Sequence, residues 1–414
     1  MEKGYLSEYF IGISVKILSA VEADKAKSNQ HEYNGVASLK SIFGTERRTF
    51  NSNFIYMNDD DDEPVTDTGS LTWYDARENH PTRSEFRMYF TTTQVSMCAS
   101  EGDMLFIGLR PDYTVLVIVA ENGSTICGQL KWFFGIDTPH DDVNCGFTTR
   151  KDLYTEHDRL TFTSRLILEQ LGICVGYSED IYLDEMIKRF GSNFPSTSEF
   201  SSYARETLPD IKALDNPDMV LMSWLEREEL LFRTFEKYIV SARLEEGFKD
   251  DVEGFFKFSL SAHNRRKSRA GHALENHVEQ LFITRKIMYE RNKITENRSR
   301  PDFIFPSIEA YHNPVFDSQK LTMLGVKSTC KDRWRQIISE ADKIEEKHLL
   351  TLEAAISPNQ ISEMRSRKVQ LVVPLRIHET YLDTQREFLM SVEELIEMLS
   401  FRQRAMCYQN GHKI

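Results

Sequence analysis

Between residues 300 and 345 the chain sets two short apolar runs ahead of a helix-period stretch, and each piece carries one ionisable residue. In RPDFIFPS, Asp302 opens the run DFIF, residues 302–305, which reads as a short buried strand. LTMLGVKST, residues 321–329, reads as a second one rich in apolar residues. Side chains alternate faces along a strand, so Val326 and Lys327 point oppositely, and Lys327 can face the place that Asp302 enters from the neighbouring strand. From about Arg333 onward Trp334, Ile337, Ile338, Ala341 and Ile344 recur at helical spacing. That spacing predicts a helix with one apolar stripe, leaving the end of the lysine strand and carrying Glu340 about two turns in.

Two carboxylates and an ammonium, distant in the chain and converging in space, are what hydrolysis of a phosphodiester asks of a protein. The carboxylates hold a hard divalent cation, and a positive charge beside the attacking water favours hydroxide and offsets charge growing on phosphorus. The common metal-dependent nuclease pattern places an acid two residues before the lysine. Gly325 stands there, so Glu340 would have to supply the missing ligand. On pattern alone the alternative is that Asp302 caps a strand while Lys327 and Glu340 are surface charges.

Upstream, NRRKSRAG packs Arg265, Arg266, Lys267 and Arg269 just before an apolar-periodic helix containing Leu274, Val278, Leu281 and Phe282. The segment reads as a basic loop that binds phosphates on the approach to the site, with Glu275 on the helix as a further acid near a metal. A solvated loop and a salt-bridging glutamate is the alternative. Many apolar residues from Met222 to Phe248, including Trp224, Leu231, Phe235 and Ile239, fall on one helical stripe that could pack a dimer or an internal core.

A chain of 414 residues exceeds one ordinary core, so two domains are expected. Its 40% hydrophobic and 28% charged content is that of a soluble globular protein. No apolar run approaches a membrane span, and MEKGYLSEYF has no basic segment followed by an apolar core, so a cytoplasmic location is expected. The six cysteines (98, 127, 145, 174, 330 and 407) form no CxxC pair, which suits free thiols in a reducing compartment, Cys330 being a small buried neighbour of the lysine strand. A net charge of −13 is unusual for a nucleic-acid-binding chain, but the acids gather in runs such as 59–63 and 226–229 and the basic groups in 263–271 and 327–335. The run NDDDDEP reads as a mobile loop.

The N-terminal third has another texture. YFIGISVKIL, RTFNSNFIYM, EFRMYFTT, GDMLFIGL and YTVLVIVA are short alternating segments separated by turn-rich stretches, which predicts a β-barrel or open barrel. Two loops between them carry hydrogen-bonding side chains suited to base edges and phosphates. KSNQHEYNG holds His31 and Tyr33, and YDARENHPTRSEFR holds Arg77, Asn79, His80, Arg83, Glu85 and Arg87. Residues 1–135 are thus expected to form a DNA-binding domain, 136–200 a linker with connecting helices, including a loop around 192–201, and 201–414 a catalytic domain.

The stretches HNRRKSRAGHALENHVEQLF, RPDFIFPSIEAYHNPVF, LGVKSTCKDRWRQIISEADKIEEKHLLTL and RKVQLVVP resemble the catalytic half of the EcoRII-type restriction endonucleases, over roughly residues 190–400. This resemblance implies a multidomain α+β, α/β chain: an N-terminal barrel of the plant B3-like type and a C-terminal PD-(D/E)XK restriction-endonuclease-like α/β/α domain. It places Asp302 and Glu340 at the family's Mg²⁺-binding acids, Lys327 at its catalytic lysine, and Tyr311 at an active-site aromatic hydroxyl of open role. Lys331, Asp332 and Arg333 match a basic-acidic-basic triplet that touches base edges, since Arg or Lys donates to guanine and an acid accepts from cytosine N4.

The resemblance further implies double-stranded DNA as substrate, cut in both strands at a CCWGG-like site with W as A or T. It implies a homodimer, a cognate DNA methyltransferase in the same system, and a barrel that grips a second copy of the site and otherwise covers the cleft. The alternatives are a nuclease licensed by a modified base in the barrel and an inactive DNA-binding regulator. Nothing in the sequence supports the latter, because the acids and lysine are intact.

Overall fold

The computed structural model describes residues 4–23, 31–33, 36–61, 63–80, 82–136, 146–173, 182–330 and 333–409. The fold is mixed α+β, and the chain divides into two compact units: Met1–Cys174 with Ala354–Gln360, and Val175–Glu353 with Ile361–Ile414.

The first unit is built on one sheet of β1 (Gly12–Ile17), β2 (Glu32–Tyr33), β3 (Arg48–Met57), β4 (Val65–Asp75), β5 (Phe86–Phe90), β6 (Met104–Leu109), β7 (Val115–Ala120) and β8 (Thr148–Arg150). Their order is β2-β5-β4-β3-β7-β6-β1-β8, antiparallel throughout except for the parallel β3–β7 pair. Among the described residues the sheet ends at β2 and β8 without closing, so it is a half-barrel. Leu18, Tyr33, Phe50, Leu71, Met88, Leu105, Val117 and Phe147 share one core, and burying that common face is what curls a twisted sheet round itself.

The apolar runs of β6 and β7 are buried at every residue, as the lack of alternation requires of strands covered on both faces. One face joins the core through Leu105 and Ile107, and the other meets the helix Thr125–Phe134, where Phe106 and Phe134 stand 5.8 Å apart. The acidic run is not simply a mobile loop. Asp59 Oδ2 accepts from Thr125 N at 2.7 Å and Oδ1 from Ile126 N at 3.3 Å, so this carboxylate sits where a helix N-terminus favours negative charge. Strand β4 gives no sequence signal because only Leu71 and Trp73 along it are buried. Strand β8, inside the expected linker, pairs with β1 and belongs to this sheet.

The second unit holds a five-stranded sheet of β9 (Glu290–Arg291), β10 (Phe303–Phe305), β11 (Thr322–Lys327), β12 (Lys347–Thr351) and β13 (Val369–Val372), ordered β13-β12-β11-β10-β9. β9, β10 and β11 are antiparallel, while β11, β12 and β13 are parallel. The helices Leu183–Phe190, Thr197–Glu206 and Pro217–Glu246 bury Met186, Phe200, Tyr203, Leu231 and Phe235 in one cluster. The segment expected as a loop around 192–201 is already helical from Thr197, because Ser196 Oγ accepts from Glu199 N at 3.3 Å and starts it.

The basic segment 264–271 is not a loop either. It lies inside one continuous helix, Val252–Thr284, whose C-terminal part buries Leu274, Val278, Leu281 and Phe282. Phe282 meets Phe303 and Phe305 edge-on at 5.4 and 5.2 Å, which seats this helix on β10. Buried Asp218 ties distant segments together by accepting from Leu375 N at 2.9 Å, Val392 N at 3.0 Å and Glu393 N at 2.9 Å. Among the described residues no helix is long and apolar enough to cross a membrane.

Candidate active site

The antiparallel pairing of β10 with β11 sets Phe303 opposite Leu324, which leaves Asp302 just before one strand and Lys327 at the end of the other. Asp302 Oδ2 accepts from Lys327 Nζ at 2.8 Å and from the backbone N–H of Val326 at 2.7 Å. The carboxylate is thereby oriented by the neighbouring strand itself. Both bonds fall on Oδ2, and among the described residues Oδ1 has no hydrogen-bond partner. Side-chain exposures of 13% for Asp302 and 23% for Lys327 leave the pair open to a ligand.

Two further carboxyls lie within electrostatic reach of this pair. Burial raises the Glu340 carboxyl above its usual range, the Asp302 charge raises it further, and Lys327 and Lys347 pull it back down. Glu275, from the Val252–Thr284 helix, behaves alike: burial and Asp302 raise it, while Arg291, His272 and Lys327 lower it. Arg291 of β9 holds Glu275 at 2.7 Å and Glu279 at 2.6 Å. Both glutamates therefore feel the same Asp302 charge and the same Lys327 charge.

Glu340 reaches this place on a turn, which corrects the expected long helix. The helix after β11 spans only Arg333–Ile338, and Ala341 adopts a left-handed φ of 51°. Lys347, buried at the start of β12, needs acceptors for its ammonium and takes the carbonyls of Ala341 (2.7 Å) and Ile344. The amides of Ala341, Asp342 and Lys343, which would continue the helix, donate instead to the Thr295, Glu296 and Tyr311 side chains, yet Ala341 and Ile344 stay buried, which is why the apolar periodicity outlasts the helix.

Tyr311, on the short helix Ile308–His312, is buried, and its hydroxyl donates to Glu296 Oε2 and accepts from Lys343 N at 3.2 Å. Burial and Glu296 both raise its pKa. Arg333 is exposed at the start of its helix, whereas Lys331 and Asp332 lie outside the described residues. Just before them the backbone N–H of Cys330 donates to the buried Glu353 carboxylate, a contact with no sequence signal. Burial pushes the Cys330 thiol up, as suits a packing residue.

Of the basic helix residues, Arg266 Nε pairs with Glu236 at 2.9 Å and Arg269 pairs with Glu229, both acids of the Pro217–Glu246 helix. Arg265 lies over the Phe194 ring at 4.5 Å, and Lys267 is exposed.

In the N-terminal unit, Tyr33 is buried and stacked on Phe90 at 4.4 Å, and His31 packs edge-on against the same ring at 5.7 Å. Arg77 and Arg87 both pair with Glu85, at 2.6 and 2.8 Å, and Arg87 also reaches Glu32 at 3.1 Å. Asp75 Oδ1 closes this arm by accepting from Arg77 N at 2.9 Å and Glu85 N at 2.7 Å. At the exposed tip stand Asn79, Arg83 and His80, whose Nδ1 accepts from Thr82 N and Arg83 N.

The donor set near Asp302 is anionic and all oxygen, which suits a hard divalent cation, and the mutual repulsion of its carboxyls is what such a cation relieves. Among the described residues no three His, Cys, Asp or Glu side chains stand close enough to enclose an ion. Magnesium does not require that, because it keeps several waters and binds through one or two carboxylates plus phosphate oxygens.

Comparisons with known proteins match the same stretch of the chain. Residues 232–396 match the family described as EcoRII C terminal. The type II restriction enzyme EcoRII of Escherichia coli is 42% identical over 208 residues, which are 50% of this chain and 51% of that enzyme, so the chain spans about half the length of the curated relative it matches. Two solved structures of metal-depleted Ecl18kI, one with uncleaved DNA and one with uncleaved, modified DNA, align with TM-scores of 0.45 and 0.44. They are 20% and 19% identical, over 56% and 58% of this chain and 86% and 88% of theirs, a likeness too slight to add to the assignment. Residues 232–396 of the chain thus resemble the EcoRII C-terminal family.

Proposed function

We propose that this protein is a type II restriction endonuclease that hydrolyses both strands of double-stranded DNA at a short, CCWGG-like site with Mg²⁺. The observation that carries the proposal is the Asp302–Lys327 pair at 2.8 Å, with the Glu340 and Glu275 carboxyls within electrostatic reach of the Asp302 charge. Four groups from separate parts of the chain share one electrostatic site, and the family match covers all of them.

Asp302 and Glu340 would hold the divalent cation. When bound, it polarises the scissile phosphate and makes its water more acidic. Asp302 Oδ2 keeps the Lys327 ammonium in place, and the remaining N–H groups of Lys327 orient the attacking water and meet charge developing on the phosphoryl oxygens. Glu275 stands as a further acid, itself steadied by Arg291. Water delivered to phosphorus expels the 3′ oxygen, leaving 5′-phosphate ends.

Lys331, Asp332 and Arg333 follow the lysine strand and would read base edges, with Arg265 and Lys267 on phosphates. Arg266 and Arg269 serve helix packing through Glu236 and Glu229. Because both strands of a symmetric site are cut, the working form is a homodimer. The N-terminal half-barrel, in a B3-like role, takes a second copy of the site through the arm carrying Arg77, Asn79, His80, Arg83, Glu85 and Arg87 and the segment with His31, and that binding activates cleavage. Tyr33 is buried in the core, stacked on Phe90, and is not among the groups that contact DNA. A cognate methyltransferase protects host DNA.

The test is to incubate wild-type protein and Lys327→Ala with Mg²⁺ and mapped DNA, then sequence the product ends. Discrete fragments with a common terminal sequence are expected from the wild type, and a loss on the order of a thousandfold or more from the variant, with site binding retained. Cleavage by Lys327→Ala at the wild-type rate overturns the chemistry. Cutting only a methylated copy of the same DNA replaces the restriction reading with a modification-dependent one.

A further inference from the structure

The turn that carries Glu340 is held more tightly than its exposed neighbours require. Its consecutive amides each have a side-chain acceptor: Ala341 N donates to Thr295 Oγ1 at 3.4 Å, Asp342 N to Glu296 Oε2 at 3.2 Å, and Lys343 N to the Tyr311 hydroxyl at 3.2 Å. The Tyr311 hydroxyl in turn donates to Glu296, so one carboxylate and one phenol share the load. Lys343 Nζ returns to the carbonyls of Tyr311 (2.9 Å) and Asn313, and Lys347 takes those of Ala341 and Ile344.

The Ala341 amide is buried and must be paired, but Asp342 is exposed and water alone would satisfy its amide. The turn also fixes Ala341 at φ 51°, a conformation that a non-glycine residue keeps only when its surroundings impose it. The residue immediately before Ala341 is Glu340, so the backbone direction set by the cradle sets where that carboxyl stands relative to Asp302. Tyr311 has no hydrogen left to give a phosphate while it donates to Glu296, and its buried ring cannot swing freely.

We infer that Glu296 and Tyr311 are positioning residues that aim Glu340 at the divalent cation, and that Tyr311 takes no part in bond making or breaking. The inference rests on the proposed nuclease site and concerns how that site is built. Groups that orient metal ligands from behind typically change metal affinity by about 10- to 100-fold when removed. They do so without touching substrate.

The experiment compares full-length wild type with Tyr311→Phe and Glu296→Gln. Mn²⁺ binding is measured by electron paramagnetic resonance and calorimetry without DNA, the Mg²⁺ dependence of cleavage separately, and thermal unfolding alongside. Both variants are expected to bind Mn²⁺ about 10- to 100-fold more weakly and to need correspondingly more Mg²⁺ for half-maximal cleavage. At saturating Mg²⁺ their cleavage rates should return to near that of wild type, with unchanged site binding. Glu296→Gln, which keeps an acceptor for the Asp342 amide, should lose less than Glu296→Ala.

Wild-type Mn²⁺ affinity and Mg²⁺ dependence in both variants would overturn the inference while leaving the nuclease intact. A lower rate at saturating Mg²⁺ with unchanged Mn²⁺ affinity would overturn it in favour of a direct role for the hydroxyl. A wild-type protein that neither cuts DNA nor binds Mn²⁺ would instead remove the underlying site, and the inference with it.

Discussion

Gly325 of the lysine strand faces Ile337 of the following helix so closely that a Cβ on the glycine would lie 2.8 Å from Ile337 Cγ2. The position where the common metal-dependent nuclease pattern carries an acid is therefore filled, in this chain, by a core side chain. Gly325→Asp should destabilise the protein by about 1–3 kcal/mol through overpacking and a buried carboxyl. It should also fail to restore cleavage to Glu340→Ala, since the new acid has no room to reach the site. Chemical denaturation and a cleavage assay on the double variant check this, and recovered cutting would show that Ile337 can yield.

Asp218 satisfies three backbone amides from two segments that are far from it in sequence. Replacing it by Ala strands those donors in a buried place, and each unsatisfied group costs about 1–3 kcal/mol, partly recovered by water. Asp218→Ala should lose on the order of 3 kcal/mol in a urea melt. Asp218→Asn, which keeps one acceptor oxygen, should lose less.

How much could be read in the sequence depends on which force fixed each element. Strands β10 and β11 are legible because burial on both faces demands apolar residues, and the charged residues at their ends then stand out. The turn bearing Glu340 is not legible. Its helix-like stripe of Ile337, Ala341 and Ile344 reports burial, while the chain path is decided by Lys347, Thr295, Glu296 and Tyr311, whose partners are remote. The same blindness applies to Arg266 and Arg269. A dense basic run looks like a phosphate site until Glu236 and Glu229, on the helix upstream, are seen to take two of its charges.

Those two pairs separate a structural from a DNA-binding role. Arg269 is mostly buried against Glu229 and the Phe232 ring, so Arg269→Ala leaves the buried Glu229 carboxylate one cation fewer, with Arg233 still at 2.9 Å, and should cost about 1–3 kcal/mol of stability. If it makes no phosphate contact, the slope of log affinity against log salt for site binding should not change. Removing a true phosphate contact lowers that slope by about one, which is the outcome expected for Lys267→Ala. A reduced slope for Arg269→Ala would return it to the DNA surface.

His348 lies within β12, fully buried, and neither ring nitrogen finds a hydrogen-bond partner among the described residues. Burial, with the Arg402 charge adding to it, lowers its pKa from 6.5 to about 4. The folded protein thus holds the ring neutral while the unfolded chain takes up a proton near pH 6.5. Stability attributable to this residue is full above that value and falls as the pH drops toward 4, by about 3 kcal/mol at the limit. His348→Leu removes the proton site and fills the space with an apolar side chain. Urea melts at pH 7.5 and pH 4.5 should show the wild type losing more stability than His348→Leu across that interval, with the difference developing below pH 6.5. Equal losses would mean that the ring is solvated or partnered at low pH, and that the acid sensitivity of the fold comes from its carboxylates instead.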